Sequence, residues 1–416
     1  MNFNKTGASG MTIGLVVVVV VIVVAAGAYL ALGTGGGSAS TTNTTTSQGS
    51  GVTTTTTTTS SSISLSGTLN IAGSTLVFPL MSSWQFAFSQ VYPNVVVNYN
   101  SIGSGAGISE ITSKVVDIGA TDAPLSSSQY AKLPATIVTV PESISAVVPA
   151  YNIPGIPNGL NFTGQVLAGI FLGNITMWND PQIQALNPHT TLPNHAIQVF
   201  HRSDGSGTMY AFTQYLSDSS KEWATKVGFS TGSLAWPVGI GCKGNEGVAG
   251  CVETTQYSLA PLEIAYVVEN PTLIQFGAVK NAAGNFIMPT LSTNPTTKVT
   301  SVDTSSISAA VTAGATGLPA GNAVWTPVSI INKIYNDTTA TTAYPITTFT
   351  YLVTYQAQAS QTQGNLVVQF LWWAVNSAQS AGAKIGYIPL PASVVALDDQ
   401  TIKSITYNGA PLYTGS

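Results

Sequence analysis

Charge is scarce in this chain. Its 416 residues include 12 Lys and Arg against 16 Asp and Glu, 7% in all, where a typical soluble domain carries about 25%. There is no basic patch and no stripe of basic and aromatic residues, which excludes nucleic acid as a partner on electrostatic grounds. There is no Walker A run. Histidine occurs three times, at His189, His195 and His201, without metal-ligand spacing; Pro and Asn neighbours place the first two in loops. Cysteine occurs twice. Cys242 and Cys251 bracket a Gly-rich loop with no further Cys or His pair nearby, so a loop-closing disulfide in an exported chain is expected and a zinc site is not. No cofactor is implied. A surface rich in Ser, Thr, Asn and Gln changes little in polarity with pH. That suits an acidic exterior, and equally a Thr-rich exported protein.

Hydrophobic and low-complexity segments dominate the N-terminus. Residues 1–12 are a short leader. Ile13 to Leu32 is uncharged and overwhelmingly apolar, about the 20 residues needed to span a bilayer. Lys5 precedes it and no cation follows closely, which places the N-terminus inside. Lys5-Thr6-Gly7-Ala8 resembles the cleavage region of pilin-like archaeal signal peptides, and a cut there would leave the apolar run in place. A retained membrane anchor is favoured over a removed signal, and no Cys follows for a lipoprotein anchor. Residues 33–67 are almost entirely Ser, Thr and Gly, the composition of an extended stalk. N-glycosylation sequons occur at Asn43, Asn161, Asn174 and Asn336. A globular part held outside the cytoplasmic membrane is the expected arrangement.

From Thr68 onward, short strands end repeatedly in small polar residues that open helices. Thr68 to Ala72 leads into Gly73-Ser74-Thr75, then a helix from Phe78 to Val91. Val95 to Asn100 leads into Gly103-Ser104-Gly105 and a helix from Ile108 to Lys114. Asp117 to Ala120 ends in Thr121-Asp122. Ile197 to Phe200 leads into His201-Arg202-Ser203-Asp204-Gly205-Ser206-Gly207-Thr208 and a helix reaching Leu216. Ser145 to Tyr151, Leu262 to Val268 and Ile346 to Tyr355 read as further strands, and Leu366 to Ala381 as an amphipathic helix. Residues 281–342 have weak periodicity. The alternation predicts open, mostly parallel sheets, which bind ligands beyond the carboxyl ends of their strands. A guanidinium, hydroxyls, glycines and a carboxylate at helix mouths suit an oxyanion that still carries a proton.

Over residues 68 to 410 the chain resembles the periplasmic-type phosphate-binding protein of the phosphate ABC importer. The matching residues are Ala72-Gly73-Ser74-Thr75, Gly103-Ser104-Gly105, Val116 to Leu125 and His201 to Thr208. Ile170 to Gly173, Trp178-Asn179-Asp180-Pro181, Lys243 to Ala249 and Tyr344 to Thr347 support them. The resemblance implies an α/β fold of two lobes, 68–149 with 343–416 and 150–342, closing a cleft on inorganic phosphate. The closed form would dock on permease subunits of the ABC transporter. Thr75 and the Leu76 N–H would hold the anion from the first helix, Ser104 through its hydroxyl. Asp122 would accept a phosphate O–H. Arg202 would donate a forked pair, with Asp204 holding the guanidinium, and Ser206, Gly207 and Thr208 would close the cage. Leu76 stands where the family usually has Phe, and Cys242 replaces a usual Gly.

Three other readings compete. His201, Asp204 and Ser206 are triad residue types, though they crowd one short turn, and triads depend on geometry. Gly239 to Gly244 fits a dinucleotide glycine pattern without the strand and helix that pattern needs. An adhesin would explain the anchor and stalk but not the strand-end polar clusters. Arsenate would fit any site built for phosphate.

Overall fold

The computed structural model describes residues 65–232, 234–297, 300–315, 317–325 and 330–413. The apolar run, Asn43 and the stalk as far as residue 64 lie outside the described residues; Gly67, expected to end the stalk, already begins the first strand. Among those described, no helix is long and apolar enough to cross a membrane.

The elements that build the main sheet and the site are numbered as follows. Strand β1 (Gly67–Gly73), helix α1 (Phe78–Val91), β2 (Val95–Ser101), α2 (Ser104–Thr112) and β3 (Ile118–Thr121) come first. A long strand β4 (Ile137–Asn152) and helix α3 (Gly164–Phe171) follow. Then come β5 (Gln198–Arg202), α4 (Gly207–Ser219), β6 (Ile240–Cys242), α5 (Gly244–Thr254), β7 (Ser258–Glu263), α6 (Ile264–Glu269) and β8 (Gln275–Phe276). Strand β9 (Thr347–Tyr355), helix α7 (Gln361–Asn376) and helix α8 (Ala392–Lys403) complete the series. The strands run in the order β2-β1-β3-β9-β4-β7-β5-β6, with β8 added on β4.

The two lobes share this sheet through β4. Its first part, Ile137 to Ala146, pairs with β9, and Val147 to Asn152 pair with β7. The outer strands are parallel, as the alternation predicts: β2, β1 and β3 at one end, β7, β5 and β6 at the other. The middle is not. β3 to β9, β9 to β4 and β4 to β7 are all antiparallel, so the expectation of mostly parallel sheets is corrected to a mixed sheet. The polar loops gather at the carboxyl ends of the parallel strands.

Other expectations need adjustment. The strand expected at Ser145 to Tyr151 is the second half of a 16-residue strand, although Pro141 lies within it. Thr350 pairs with Ser143 and Tyr351 with Pro141, so Glu142 is the extra residue of a bulge, where proline is tolerated. Leu262 to Val268 is not one strand. β7 ends at Glu263, whose carboxylate accepts from Ala265 N–H at 3.0 Å and caps α6; a short apolar run does not distinguish buried strand from buried helix. Helix α2 begins at Ser104 rather than Ile108, because its glycines are there for contact: a Cβ on Gly107 would lie 2.5 Å from the Cα of Gly73. Residues 281–342 contain a hairpin, Thr290–Thr293 with Thr300–Asp303, and helices Ser305–Gly314 and Ile330–Asn336. Aromatic residues fill the core. Phe88 on α1 meets Phe370 and Trp373 on α7 edge-on, at 5.3 and 5.1 Å between centroids.

Glu142 is fully buried and, among the described residues, neither of its carboxyl oxygens has a hydrogen-bond partner. The Thr350 hydroxyl beside it is turned to the Ser143 carbonyl at 3.4 Å. Burial, and then the charge of Asp122, pushes its pKa up to about 8. Burial also raises Glu263 and Asp398. A carboxyl whose folded pKa is raised stabilises the fold below its unfolded value and loses that contribution as pH rises through the folded one. The melting temperature is therefore expected to fall between pH 5 and pH 9 by at least about 3 °C, and Glu142→Gln to flatten the upper part of the curve. Thermal scans across that range check this; a melting temperature that rises with pH contradicts it.

Candidate functional site

Asp122, just past β3, is 1% exposed. Its Oδ1 accepts from the Ser74 hydroxyl and its Oδ2 from the Ser104 hydroxyl at 3.2 Å. Burial pushes its pKa up to about 6 against the opposing pull of Ser74, the Arg202 charge, Ser104 and the Thr208 backbone. Above that pH it is an ionised acceptor surrounded by hydroxyls.

The donors arrive from both lobes. In the turn after β1, the Ser74 Oγ accepts from Leu76 N–H at 3.0 Å, which fixes the turn. The carbonyl side of that turn is clamped by three tyrosines, Tyr266 and Tyr387 buried and Tyr99 half-buried. Tyr99 donates to Ser74 O, Tyr266 to Thr75 O and Tyr387 to Leu76 O, each at 2.5 Å. The opposite side of the turn, with Leu76 N–H and the Thr75 hydroxyl, faces the other lobe. There the Arg202 guanidinium, at the end of β5, gives Nε (2.7 Å) and Nη2 to the Asp204 carboxylate, which also accepts from Gly244 N–H at 3.1 Å. The fork on that edge is thus spent on Asp204, leaving Nη1 directed to the lobe junction. Ser206 caps α4, accepting from Met209 N–H at 3.2 Å, and keeps its hydroxyl proton to donate.

The lobes touch here. The Ser104 Oγ accepts from Gly207 N–H at 3.3 Å, and Gly105 N–H donates to Gly205 O at 3.2 Å. Asn245, on the first turn of α5, reaches the Thr75 hydroxyl with its backbone N–H at 3.1 Å. Its side-chain amide meets the Thr75 and Thr208 hydroxyls at 3.1 and 3.0 Å. The disulfide between Cys242 and Cys251 ties β6 to this same helix.

The structure therefore brings Thr75, Leu76, Ser104, Asp122, Arg202, Gly207 and Thr208 into one connected set. Asp204 adjoins it through Arg202, and Ser206 through the helix cap. Sequence reading gives no role to Ser74, Asn245 or the tyrosines. Ser74 and Asn245 lie inside the motifs that carry the resemblance; Tyr99, Tyr266 and Tyr387 come from distant segments with nothing local to mark them. The triad reading fails on geometry: the His201 ring stacks on Trp236 at 4.6 Å with Nδ1 on Arg202 O, and Asp204 is committed to Arg202. His195 packs on Tyr257 at 3.7 Å.

A PBP superfamily domain model matches residues 39–378. The phosphate-binding protein PstS of Xylella fastidiosa (strain Temecula1) is 36% identical over 325 residues, 78% of this chain and 82% of its own length. That of Methanocaldococcus jannaschii is 33% identical over 353 residues, 81% and 86%. The chain belongs to the PstS family. Solved structures share its fold at low identity. A phosphate-binding protein from Stenotrophomonas maltophilia has a TM-score of 0.56 at 17% identity, covering 83% of this chain and 96% of its own. The periplasmic phosphate-binding protein PfluDING, solved with phosphate, has 0.55 at 19%, covering 80% and 92%.

In this PstS-family chain, the contact between the lobes depends on one missing side chain. A Cβ on Gly207 would lie 2.5 Å from Asp122 Cβ and 2.8 Å from its Cα and N, contacts no real Cβ makes. Gly207 begins α4, where alanine suits the backbone. Gly207→Ala is therefore expected to leave the melting temperature of the protein alone within about 2 °C while holding the lobes apart and weakening ligand affinity by about 100-fold or more, some 2.7 kcal/mol. Calorimetric titration beside a thermal scan checks this; wild-type affinity contradicts it.

Proposed function

We propose that this protein captures inorganic phosphate between its lobes outside the cytoplasmic membrane and delivers it to an ABC permease, tethered by the apolar segment 13–32. The lobes would comprise 68–149 with 343–416, and 150–342. Phosphate would lie among Thr75, Leu76 N–H, Ser104, Asp122, Arg202, Ser206, Gly207 and Thr208, with Asp204 orienting Arg202. Phosphate would shift the population toward the closed form, and the closed form would dock on the permease. The exposed sequon residues Asn174 and Asn336 are the places for glycans; Asn161 is only half-exposed.

One observation carries this reading: an ionisable, buried carboxylate faces a set of donors supplied by both lobes. Donors alone would hold any oxyanion. The carboxylate rewards a ligand that brings its own proton. Phosphate has one at neutral pH and sulfate has none, and sites that depend on such a hydrogen bond can reject its absence by about 10⁴ to 10⁵. Arsenate shares both shape and proton and is the natural second ligand.

Equilibrium dialysis with labelled phosphate tests this. At pH 8, saturable one-to-one binding should survive roughly 1,000-fold excess sulfate, inside the rejection range of such sites. Asp122 gains a proton as pH falls through about 6 and can then donate to sulfate, so sulfate should compete increasingly between pH 7 and pH 5. Asp122→Asn should admit sulfate at every pH. No saturable phosphate uptake defeats the proposal; sulfate rejection unchanged in Asp122→Asn removes Asp122 from its role.

A further inference from the structure

Asn245 stands where the donors converge. Its side-chain amide lies within hydrogen-bond reach of four groups: Thr75 Oγ1 at 3.1 Å, Thr208 Oγ1 at 3.0 Å, Leu76 N at 3.1 Å and Arg202 Nη1 at 3.3 Å. Two of the four, a backbone N–H and a guanidinium, can only donate. The amide atom that faces them is therefore the oxygen, and both hydroxyls can donate to it as well. The residue is fully buried and pinned, because its backbone N–H donates to the same Thr75 hydroxyl at 3.1 Å. Three of these groups belong to the turn after β1 or to α4, and the fourth ends β5, so one neutral oxygen joins donors from both lobes.

These are the donors assigned above to phosphate, and the inference rests on that assignment. An anion that takes them must displace the amide oxygen, and an anion beside that oxygen is repelled by it. A half-turn about χ2 removes the conflict, since it exchanges the carbonyl for an NH₂ group at nearly the same place. Asparagine is suited to this. Aspartate offers acceptors on both sides, and serine is too short to span the lobes. We propose that Asn245 is a specificity-determining residue of the anion site whose amide presents oxygen to the donors in one arrangement and N–H to the bound anion in the other. In the first it competes with the anion for the donors. In the second it adds a neutral donor, which favours an anion over a neutral solute without weakening the carboxylate's demand for a proton.

Phosphate titration of the wild type, Asn245→Asp and Asn245→Ala, with thermal scans in phosphate-free buffer, separates the outcomes. Asn245→Asp keeps the acceptor, loses the donor and places a negative charge on the donors. Its affinity for phosphate should fall by about 100-fold or more while its melting temperature without phosphate is at least that of wild type. Asn245→Ala should melt lower than Asn245→Asp yet bind phosphate within about 10-fold of wild type. Equal affinities in the two variants, or weaker binding by Ala than by Asp, overturn the proposal. Should a variant fail to fold, the wild-type chain provides the same test. The Asn245 side-chain NH₂ resonances should move and gain exchange protection on addition of phosphate; unmoved resonances overturn it. A wild type that binds no phosphate refutes the functional reading itself, which is a separate result.

Discussion

A buried carboxylate held by hydroxyls, with the nearest cation already paired to another acid, is the constraint around which this protein is arranged. Asp122 accepts hydrogen bonds from Ser74 and Ser104, while Arg202 is bound on one edge to Asp204. Were the guanidinium to pair with Asp122, the pair would be self-satisfied and indifferent to a ligand's protonation. Keeping the two charges on separate partners leaves Asp122 free to accept a ligand's hydrogen, and Arg202 Nη1, held by the neutral Asn245 amide oxygen at 3.3 Å, open to a charged acceptor. A tetrahedral oxyanion with one proton supplies both. Burial raises the pKa of the same carboxylate to about 6.

The rest of the fold serves to hold that arrangement. The turn bearing Thr75 and Leu76 has its three successive carbonyls fixed by Tyr99, Tyr266 and Tyr387, so its donor side is rigid and directed inward. A hydrogen bond to the Thr75 carbonyl also polarises the peptide whose N–H is that of Leu76, since chains of hydrogen bonds strengthen one another. On the other side, the disulfide and β6 hold α5 against β5, which sets Gly244 on Asp204 and Asn245 on the donors. Strand β4 runs through both halves of the sheet and so joins the lobes near the site.

Much of this is legible in the sequence, for a physical reason. A polar residue at a strand's carboxyl end, followed by a helix mouth, is a local pattern, so Ser104, Asp122, Arg202 and Thr208 stand out from the order of residues alone. The end points of α1 are readable because Pro79 and the apolar spacing from Phe78 to Val91 are local too. What escapes is set by distant contact. Tyrosines from β2, α6 and the C-terminal segment meet on one turn only after the chain has folded. The antiparallel centre of the sheet depends on β9 inserting between β3 and β4, which no local period encodes. The break at Glu263 is hidden because a carboxylate in an apolar run reads as an interruption, when here it is a helix cap.

A crystal structure of the protein grown with phosphate tests the central claim most directly. The account predicts one anion at the lobe junction, with an oxygen in hydrogen-bond contact with an Asp122 carboxyl oxygen and others on Thr75, Leu76 N–H, Arg202 and Thr208. An anion bound elsewhere, or one at the junction with no oxygen in contact with Asp122, would contradict it.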